Sequence, residues 1–529
     1  MKIRTKPVEI WNEYKKLQDY HLRFNVYDDV KRNENFYIGK QWEGLDSQDM
    51  PKPVINVLQR AGKYMIATLS SNEISVSITP FTKIQDDIVK FKPISDEVEK
   101  VIEQAYIKES SRLAIRNAFV DGACYAMQSF DPDYETGQPI KGRIENTLID
   151  ITNVYMGNPY SNVIQKQPFI IVALRQHIEQ VKDEARERGL SEDDIDQIIP
   201  ENESQNANDD SDNLCTVLLK FYKKETIEES PDGSVISRRK SVFFTKTTFN
   251  TTIVDETDLG YSRYPIACFG WEQIKNSCLY TSPMTALIPN QIFINKCYAI
   301  AQMYGLQSAF PKVLYDKNKV DVNSILNSNK PHAVSGLDMA GKFLEFIKVP
   351  DFSNQILELI ENTIKQTKEC MGVNDASLGN VKPDNTSAII ALQEASNVPL
   401  ELQRQSFYQF WEEIVRNILD IMANDYGTRQ VLVETDGMKD IAEIDFSKLK
   451  DINFEVNVDI GNGAQYSEIA QMQTLDRIFN SQMIDAPTYI DSIPDKYVPN
   501  KSKIAENIKS RYQMMQQQQA QQVNNQIIN

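Results

Sequence analysis

Gly336, Gly341 and Lys342 have the spacing of a phosphate-binding loop, in which backbone amides cradle phosphates and the lysine reaches them. Such a loop needs a Ser or Thr hydroxyl next, to hold magnesium, with a strand before it and a helix after it. Phe343 stands at that position, and the KPHAVSG run at 330–336 does not read as a strand. A turn-rich segment meeting the spacing by chance accounts for it. Asp131, Asp133 and Glu135 imitate the first half of a calcium loop, but the glycine comes one position late at Gly137 and position twelve is Gly142 rather than a bidentate Glu. A turn between two strands is expected there. Gly461-Asn462-Gly463 lacks the third glycine and the strand-to-helix setting of a dinucleotide site, so it reads as a flexible joint.

No GxSxG, HExxH or Ser/His/Asp arrangement stands out, and only His21, His177 and His332 are available as imidazole bases. The six cysteines, at 124, 215, 268, 278, 297 and 370, include no CxxC and no short pair. They read as reduced, mostly buried small hydrophobes. With the histidines far from one another and from any cysteine at ligand spacing, the residues assemble no transition-metal site, and no cofactor is expected.

These candidates sit in a chain of 529 residues with 57 basic and 74 acidic side chains, a formal charge of −17, and 41% hydrophobic content. That composition suits a soluble globular protein of about three or four domain-sized units. An acidic balance argues against affinity earned by neutralising phosphates, which needs clustered Lys and Arg. The longest apolar stretch, Phe169 to Leu174, is far below the roughly 18 residues that would span a bilayer. The first residues, MKIRTKPVEIWNEYKK, contain no apolar leader, which predicts a chain that stays in a cytoplasm.

The elements that would position any site follow from periodicity. Ile10, Trp11, Tyr14, Leu17, His21, Phe24, Tyr27 and Val30 predict one long amphipathic helix. A second helix holds Ala61, Tyr64, Met65 and Leu69, and Ile74, Val76 and Ile78 alternate as a strand closed by Pro80. Helical spacing returns from Ser95 to about Phe119, ended by Asp121-Gly122. Strands are predicted at 123–130 and 140–151, a buried strand at 169–174, and a charged helix from Ile178 to Arg188. Residues 191–213 hold nine acids and no base, as expected of a solvated, mobile loop. Residues 214–224 and 234–248 form a hairpin about Pro231-Asp232-Gly233.

The second half is more helical. Ser282 as N-cap and Pro283 at the first helical position open a helix over 283–309, about 40 Å long and kinked at Pro289. After a Pro- and Gly-containing stretch at 311–350, Ser353 opens a helix that Gly372 stops. Thr386 or Ser387 caps a further helix, bent at Pro399 and running to about Asp425. Residues 430–460 return to strand-like runs, and a helical segment leads into a Gln-rich tail with no charge after Arg511. The result is an α+β chain in which two long helices bracket a forty-residue insertion.

The order of these features resembles the portal proteins of tailed bacteriophages. The stretches that carry the resemblance are NFYIGKQWEG, PVINVLQRAGKYMIATLSSNEISVSITP, and VDGACYAMQSFDPDYETGQPIKGRIENTLIDITNVYMGNPYS, where Asn158 stands in place of a common Asp. LYTSPMTALIPNQIFINKCYAIAQMYGLQSAFPKVLY is similar to the family's first stem helix and entry to the clip. MGVNDASLGNVKPDNTSAIIALQEASNVPLELQRQSFYQFWEEI is similar to the end of its second stem helix, the tunnel loop and the long helix after it. Ser387-Ala388 replaces the Ser-Gly often found there. Together these cover roughly residues 10 to 425.

The resemblance implies a portal-protein fold assembled into a ring of identical copies, usually twelve, at one capsid vertex of the virion, with assembly in the host cytoplasm. It implies a wing at 1–272, a first stem helix at 273–310, a clip at 311–351, a second stem helix at 352–373, a tunnel loop at 374–386, a long wing helix at 387–425, wing strands at 426–465 and a crown at 466–529. The partners it implies are the chain itself, the major capsid protein, the terminase large subunit, head–tail adaptor or tail proteins, and double-stranded DNA passing without sequence preference; no membrane is involved. Asn380, Val381, Lys382, Pro383, Asp384 and Asn385 would face DNA in the tunnel loop. Asp316, Lys317, Lys319, Asn327 and Lys330 would meet terminase or adaptor in the clip. No enzyme is implied, because ATP is used by the separate motor.

DNA carries a charge about every 1.7 Å, so a conduit that bound phosphates tightly would brake translocation. Charge near the lumen is therefore expected to be mostly acidic, with Lys382 the exception. Two other readings compete: a nucleic-acid-associated ATPase resting on the 336–342 spacing, and an interaction scaffold with no channel, which predicts a monomer or dimer.

Overall fold

The computed structural model describes residues 5–44, 50–70, 74–80, 85–137, 140–200, 213–229, 235–309, 313–315, 344–346, 354–373, 398–435, 438–451, 454–460, 474–481, 483–493, 504 and 508. By its internal contacts the chain divides into two units, one of residues 1–70, 76–381 and 396–458, the other of 71–75, 382–395 and 459–529.

The first unit opens with α1 (Pro7–Arg23), whose proline occupies the first turn, where no N–H is needed. It is followed by α2 (Val26–Ile38). The single helix expected over this stretch is therefore two. The chain turns at Asn25 in the left-handed region, φ 53°, a conformation that asparagine tolerates better than most L-residues. Next come α3 (Val57–Ser70), the strand β1 (Ile74–Pro80), α4 (Gln85–Gln104) and α5 (Ile107–Asp121). Here too one predicted helix is two, separated by Tyr106 at φ 50°, and the first of them starts ten residues earlier than its apolar spacing indicated and holds Pro93 within it. Gly122 closes α5 as foreseen.

β2 (Ala123–Asp131), β3 (Arg143–Asp150) and, later, β9 (Ile266–Gly270) form a three-stranded antiparallel sheet with β2 in the middle. Between β2 and β3 the backbone N–H of Asp133 donates to the Asp131 carboxylate, so the calcium-like acids form the expected turn. A larger sheet follows the order β4 (Val154–Met156), β5 (Phe169–His177), β6 (Leu214–Glu229), β7 (Val235–Thr247), β8 (Thr252–Asp258), every neighbour antiparallel. Its β6–β7 hairpin is the one predicted, and longer; its turn residues 230–234 lie outside the described residues. Between β5 and β6 run α6 (Ile178–Glu187) and a short α7 (Glu192–Asp196). The acidic stretch is thus not loop throughout. The Ser191 side chain accepts the Asp194 N–H to cap α7, and Ile195 and Ile198 are buried, while residues 201–212 lie outside the described residues.

α1 lies on the large sheet because Ile10, Trp11 and Tyr14 form one apolar face that buries against Tyr155, Phe169, Ile171, Ala173, Leu218 and Tyr222. Within this dry contact Glu13 of α1 accepts from the Lys220 ammonium of β6 at 2.7 Å, and Lys220 is 1% exposed. An ammonium so deep is tolerable only because it is paired and also lies over the Phe169 ring.

After two short strands, β10 (Glu272–Gln273) and β11 (Tyr280–Thr281), come α8 (Ile288–Ala309), β12 (Val313–Tyr315), β13 (Leu344–Phe346), α9 (Asn354–Cys370) and α10 (Glu401–Ile421). α10 buries Phe407 and Phe410 against Phe269 of β9, with ring centroids 5.4 and 6.0 Å away. It also docks through charge: the Asp420 carboxylate accepts from the backbone N–H groups of Ser262 and Arg263 and from the Ser262 hydroxyl, Arg263 pairs with Glu413, and the Tyr261 hydroxyl donates to Asp425 at 2.5 Å. β14 (Thr428–Thr435) and β15 (Met438–Asp445) pair antiparallel, and β16 (Phe454–Ile460) pairs with β1. All six cysteines are free; four are buried, Cys268 is half-buried and Cys370 exposed.

In the second unit, residues 474–480 are helical and the Ala486–Ser492 helix is capped by Asp485, whose carboxylate accepts the Thr488 N–H. Phe479 stacks on Tyr489 with centroids 4.5 Å apart, and the Tyr489 hydroxyl donates to Asp476. Gly461-Asn462-Gly463 and the Gln-rich tail lie outside the described residues.

Candidate functional site

The long helix pair α8 and α9, with the segments it carries, is the part of the molecule that the sequence marks out. α8 has to be held firmly at one end if it is to project anything from the other. Its first half buries Ile288, Gln291, Ile294, Asn295 and Cys297, while its second half is largely exposed.

The chain reaches α8 through a turn rather than a helix. The Ser282 hydroxyl donates to the Phe119 carbonyl at 2.6 Å and accepts the Met284 N–H, as the predicted cap would. Yet what it caps is a run of turns, and the helix begins only at Ile288. Pro289 therefore falls in the first turn, where its missing N–H costs nothing, and the expected kink is a helix start.

Within that buried half, Gln291 and Asn295, one turn apart, form a closed polar network. The Gln291 side chain accepts the Val57 N–H at 3.0 Å and donates to the Ile55 carbonyl at 2.6 Å and to Asn295 at 3.0 Å. Asn295 donates to Gln41 at 2.6 Å and accepts the Ile55 N–H, and Gln41 donates to the Phe36 carbonyl. Gln41, Gln291 and Asn295 are each 2% exposed or less. At about 1 kcal/mol per bond, with a larger penalty for any group left unpaired, this network locks α8 to the segment between α2 and α3 in one register. A Gln and an Asn four apart in an otherwise apolar helix is the signal in the sequence that pointed to it, and the periodicity reading passed over it.

α9 returns alongside α8. Asn290, at the start of α8, donates to Thr367, near the end of α9, so the two helices run antiparallel. Between their far ends β12 and β13 pair antiparallel, Val313 opposite Phe346 and Tyr315 opposite Leu344. The chain thus leaves on α8 and comes back on α9, with residues 316–343 inserted between the strands. At 1.5 Å per residue the 22 residues of α8 give a rod of about 33 Å. The rod is electrically balanced: α8 carries Lys296 alone, and α9 carries Glu358, Glu361, Glu369, Lys365 and Lys368.

α9 ends in a left-handed glycine as predicted. Gly372, φ +71°, donates its N–H to the Glu369 carbonyl, and Val373 donates to the Lys368 carbonyl, so the last free carbonyls of the helix are satisfied. A Cβ on Gly372 would stand 2.8 Å from the Cβ of Pro399. The described residues on either side of 374–397 therefore meet where 372 and 399 approach each other. Pro399 lies in a short 3-10 turn, Val398–Leu400, that leads into α10.

Every residue expected to meet DNA or a protein partner belongs to the segments this framework carries. Asn380, Val381, Lys382, Pro383, Asp384 and Asn385 in one, and Asp316, Lys317, Lys319, Asn327 and Lys330 in the other, lie outside the described residues, as does the 336–343 run with phosphate-loop spacing. Among the described residues no group of three His, Cys, Asp or Glu side chains could hold a metal ion, and no helix is long and apolar enough to cross a membrane.

A family model described as phage P22-like portal protein matches residues 187–528, almost two thirds of the chain. No curated protein matches it.

Proposed function

The chain belongs to the phage P22-like portal protein family, and from that premise we propose that it closes into a ring, about a dozen copies around, whose central hole passes double-stranded DNA into the head and out again. In this reading α8 and α9 are the stem, residues 311–351 the surface for the terminase large subunit and then for adaptor or tail proteins, and residues 374–386 the loop that faces DNA. The ring sits at one vertex of the capsid, held by the major capsid protein. No catalytic step is assigned to the chain.

One observation carries this reading beyond family membership. Phe293, Ile300 and Leu306 on α8 and Leu357 and Leu359 on α9 are each more than a third exposed. Helices rooted as firmly as these have no reason to offer solvent five large apolar side chains. A neighbouring copy would cover them, at about 25 cal/mol for each Å² removed from water, and a repeated head-to-tail contact makes a ring when its rotation closes. The balanced charge of the rod suits a conduit that must not grip phosphate. It also moves the expected acidity elsewhere, since the paired helices have as many bases as acids.

The DNA-facing role is tested by placing a photo-crosslinking side chain at Lys382 and packaging heads with the altered protein. Crosslinks to packaged DNA are expected at Lys382 and not at exposed Tyr106 on the body. Equal yields at the two positions, or none at Lys382 in filled heads, would refute it.

A further inference from the structure

α5 ends on an acid in the wrong place. Asp121 is its last residue, at the negative end of the helix dipole, where a cation would be favoured. Its Oδ1 is buried and receives no hydrogen bond from the described residues. The groups that could serve it are engaged elsewhere. Arg116, one turn and a half back, gives its Nη2 to both oxygens of Glu34 at 2.6 Å and lies over the Tyr37 ring. Its Nη1 donates to Asn117, and the Asn117 amide is directed to Asp150 at 3.5 Å. Among the described residues, those facing Asp121 are therefore Asp150 from the end of β3, Glu34 from α2, the Cys124 thiol from β2 and a single cation, Arg116.

The place matters more than the charge. The carbonyls just before Asp121 add to the ties between the body and the root of α8: Asn33 donates to the Val120 carbonyl and to Thr285, and Ser282 donates to the Phe119 carbonyl. Trp271, whose N–H binds the Gly122 carbonyl at 2.8 Å, packs edge-on to Phe119.

We propose that Asp121 is a proton-linked clamp at the root of α8: with its carboxyl protonated the junction of α2, α5 and the 282–287 turn is tight, and ionisation sets an uncompensated charge against Asp150 and Glu34 and loosens it. Burial, and after it the Asp150 carboxylate, push the Asp121 carboxyl up to about 7. Burial also raises Asp150. The Cys124 thiol is pushed far above neutrality by its own burial, so it stays uncharged throughout. Because the folded chain holds this proton where an unfolded Asp has released it, the contribution is complete near pH 4 and is lost as pH rises through 7.

The test is urea unfolding of the full-length chain at pH 5, 6, 7 and 8 for the wild type, Asp121→Asn and Asp150→Asn. Relative to Asp121→Asn, the wild-type unfolding constant should grow by up to tenfold per pH unit between 5 and 7 and then level off. Asp150→Asn, which removes the like charge, should end that growth at lower pH. Identical pH dependence in wild type and Asp121→Asn would overturn the proposal. Should Asp121→Asn fail to fold, tryptophan fluorescence of the native wild type decides. A step near pH 7 that disappears in Trp271→Phe and moves down in Asp150→Asn is expected, and no step, or one unmoved by Asp150→Asn, overturns it.

Discussion

Gly372 and His21 show how much a single position can hold. Any side chain at 372 meets both a left-handed backbone and the Pro399 ring 2.8 Å away, so Gly372→Ala should cost about 1–2 kcal/mol for the backbone alone. The loss should be local, read as faster hydrogen exchange at the end of α9 and at residues 398–403 with α1 unchanged. His21 is buried in α1, stacked on Tyr155 at 4.7 Å, with no partner for Nδ1 among the described residues. Burial lowers its pKa to about 4, so the unfolded chain binds the extra proton first and stability falls as pH drops from about 6.5 toward 4. A shift of this size is worth about 3 kcal/mol, and His21→Phe should flatten the acid limb of a urea-midpoint profile by that order. Asp121 acts with the opposite sign across the same range, so only variant-minus-wild-type profiles separate the two. Neither was legible in the sequence. A helix stop was visible at Gly372, but its contact with Pro399 spans a segment whose path no local pattern encodes, and His21 looked like one more residue on an apolar face.

At the scale of elements, alternation and helical spacing located most of the helices and the strands β1–β3, β5–β7 and β14–β16, but not β4 or β8–β11, and the errors among helices cluster at breaks. Asn25 and Tyr106 adopt left-handed backbone inside continuous apolar stripes, and apolar spacing carries no mark of a turn made by one residue. Ser282 and Pro283 looked like a helix start because Ser282 does cap, but tertiary bonds to Phe119 and Asn33 hold a turn there and delay α8 by five residues. α7 was hidden because acids dominate its window, while Ile195 and Ile198 alone bury it. For the helix pair the consequence to test is association. Ile300→Asp should leave the far-ultraviolet circular dichroism of the chain unchanged, since the side chain is 45% exposed, and should reduce assembly in sedimentation at least tenfold. Unchanged assembly would mean that the exposed apolar stripe of α8 is not a contact between copies.

The whole molecule was readable in outline and unreadable in its assembly. An α+β chain with two long helices around an insertion follows from patterning alone, and the P22-like portal family match over 187–528 supports the family that those features resembled. The grouping of residues 71–75 and 382–395 with 459–529 has no counterpart in the sequence reading, because a long-range grouping of segments leaves no periodic trace. Nor does one chain's sequence distinguish a stripe that faces a neighbour from one that faces a lumen. The most direct test of the ring is the mass of the purified chain by light scattering, with the same fractions imaged in negative stain. Twelve copies of 60.6 kDa amount to about 730 kDa, and closed rings of about that mass with a central hole are predicted. Monomers or dimers that persist at every protein and salt concentration would contradict the account.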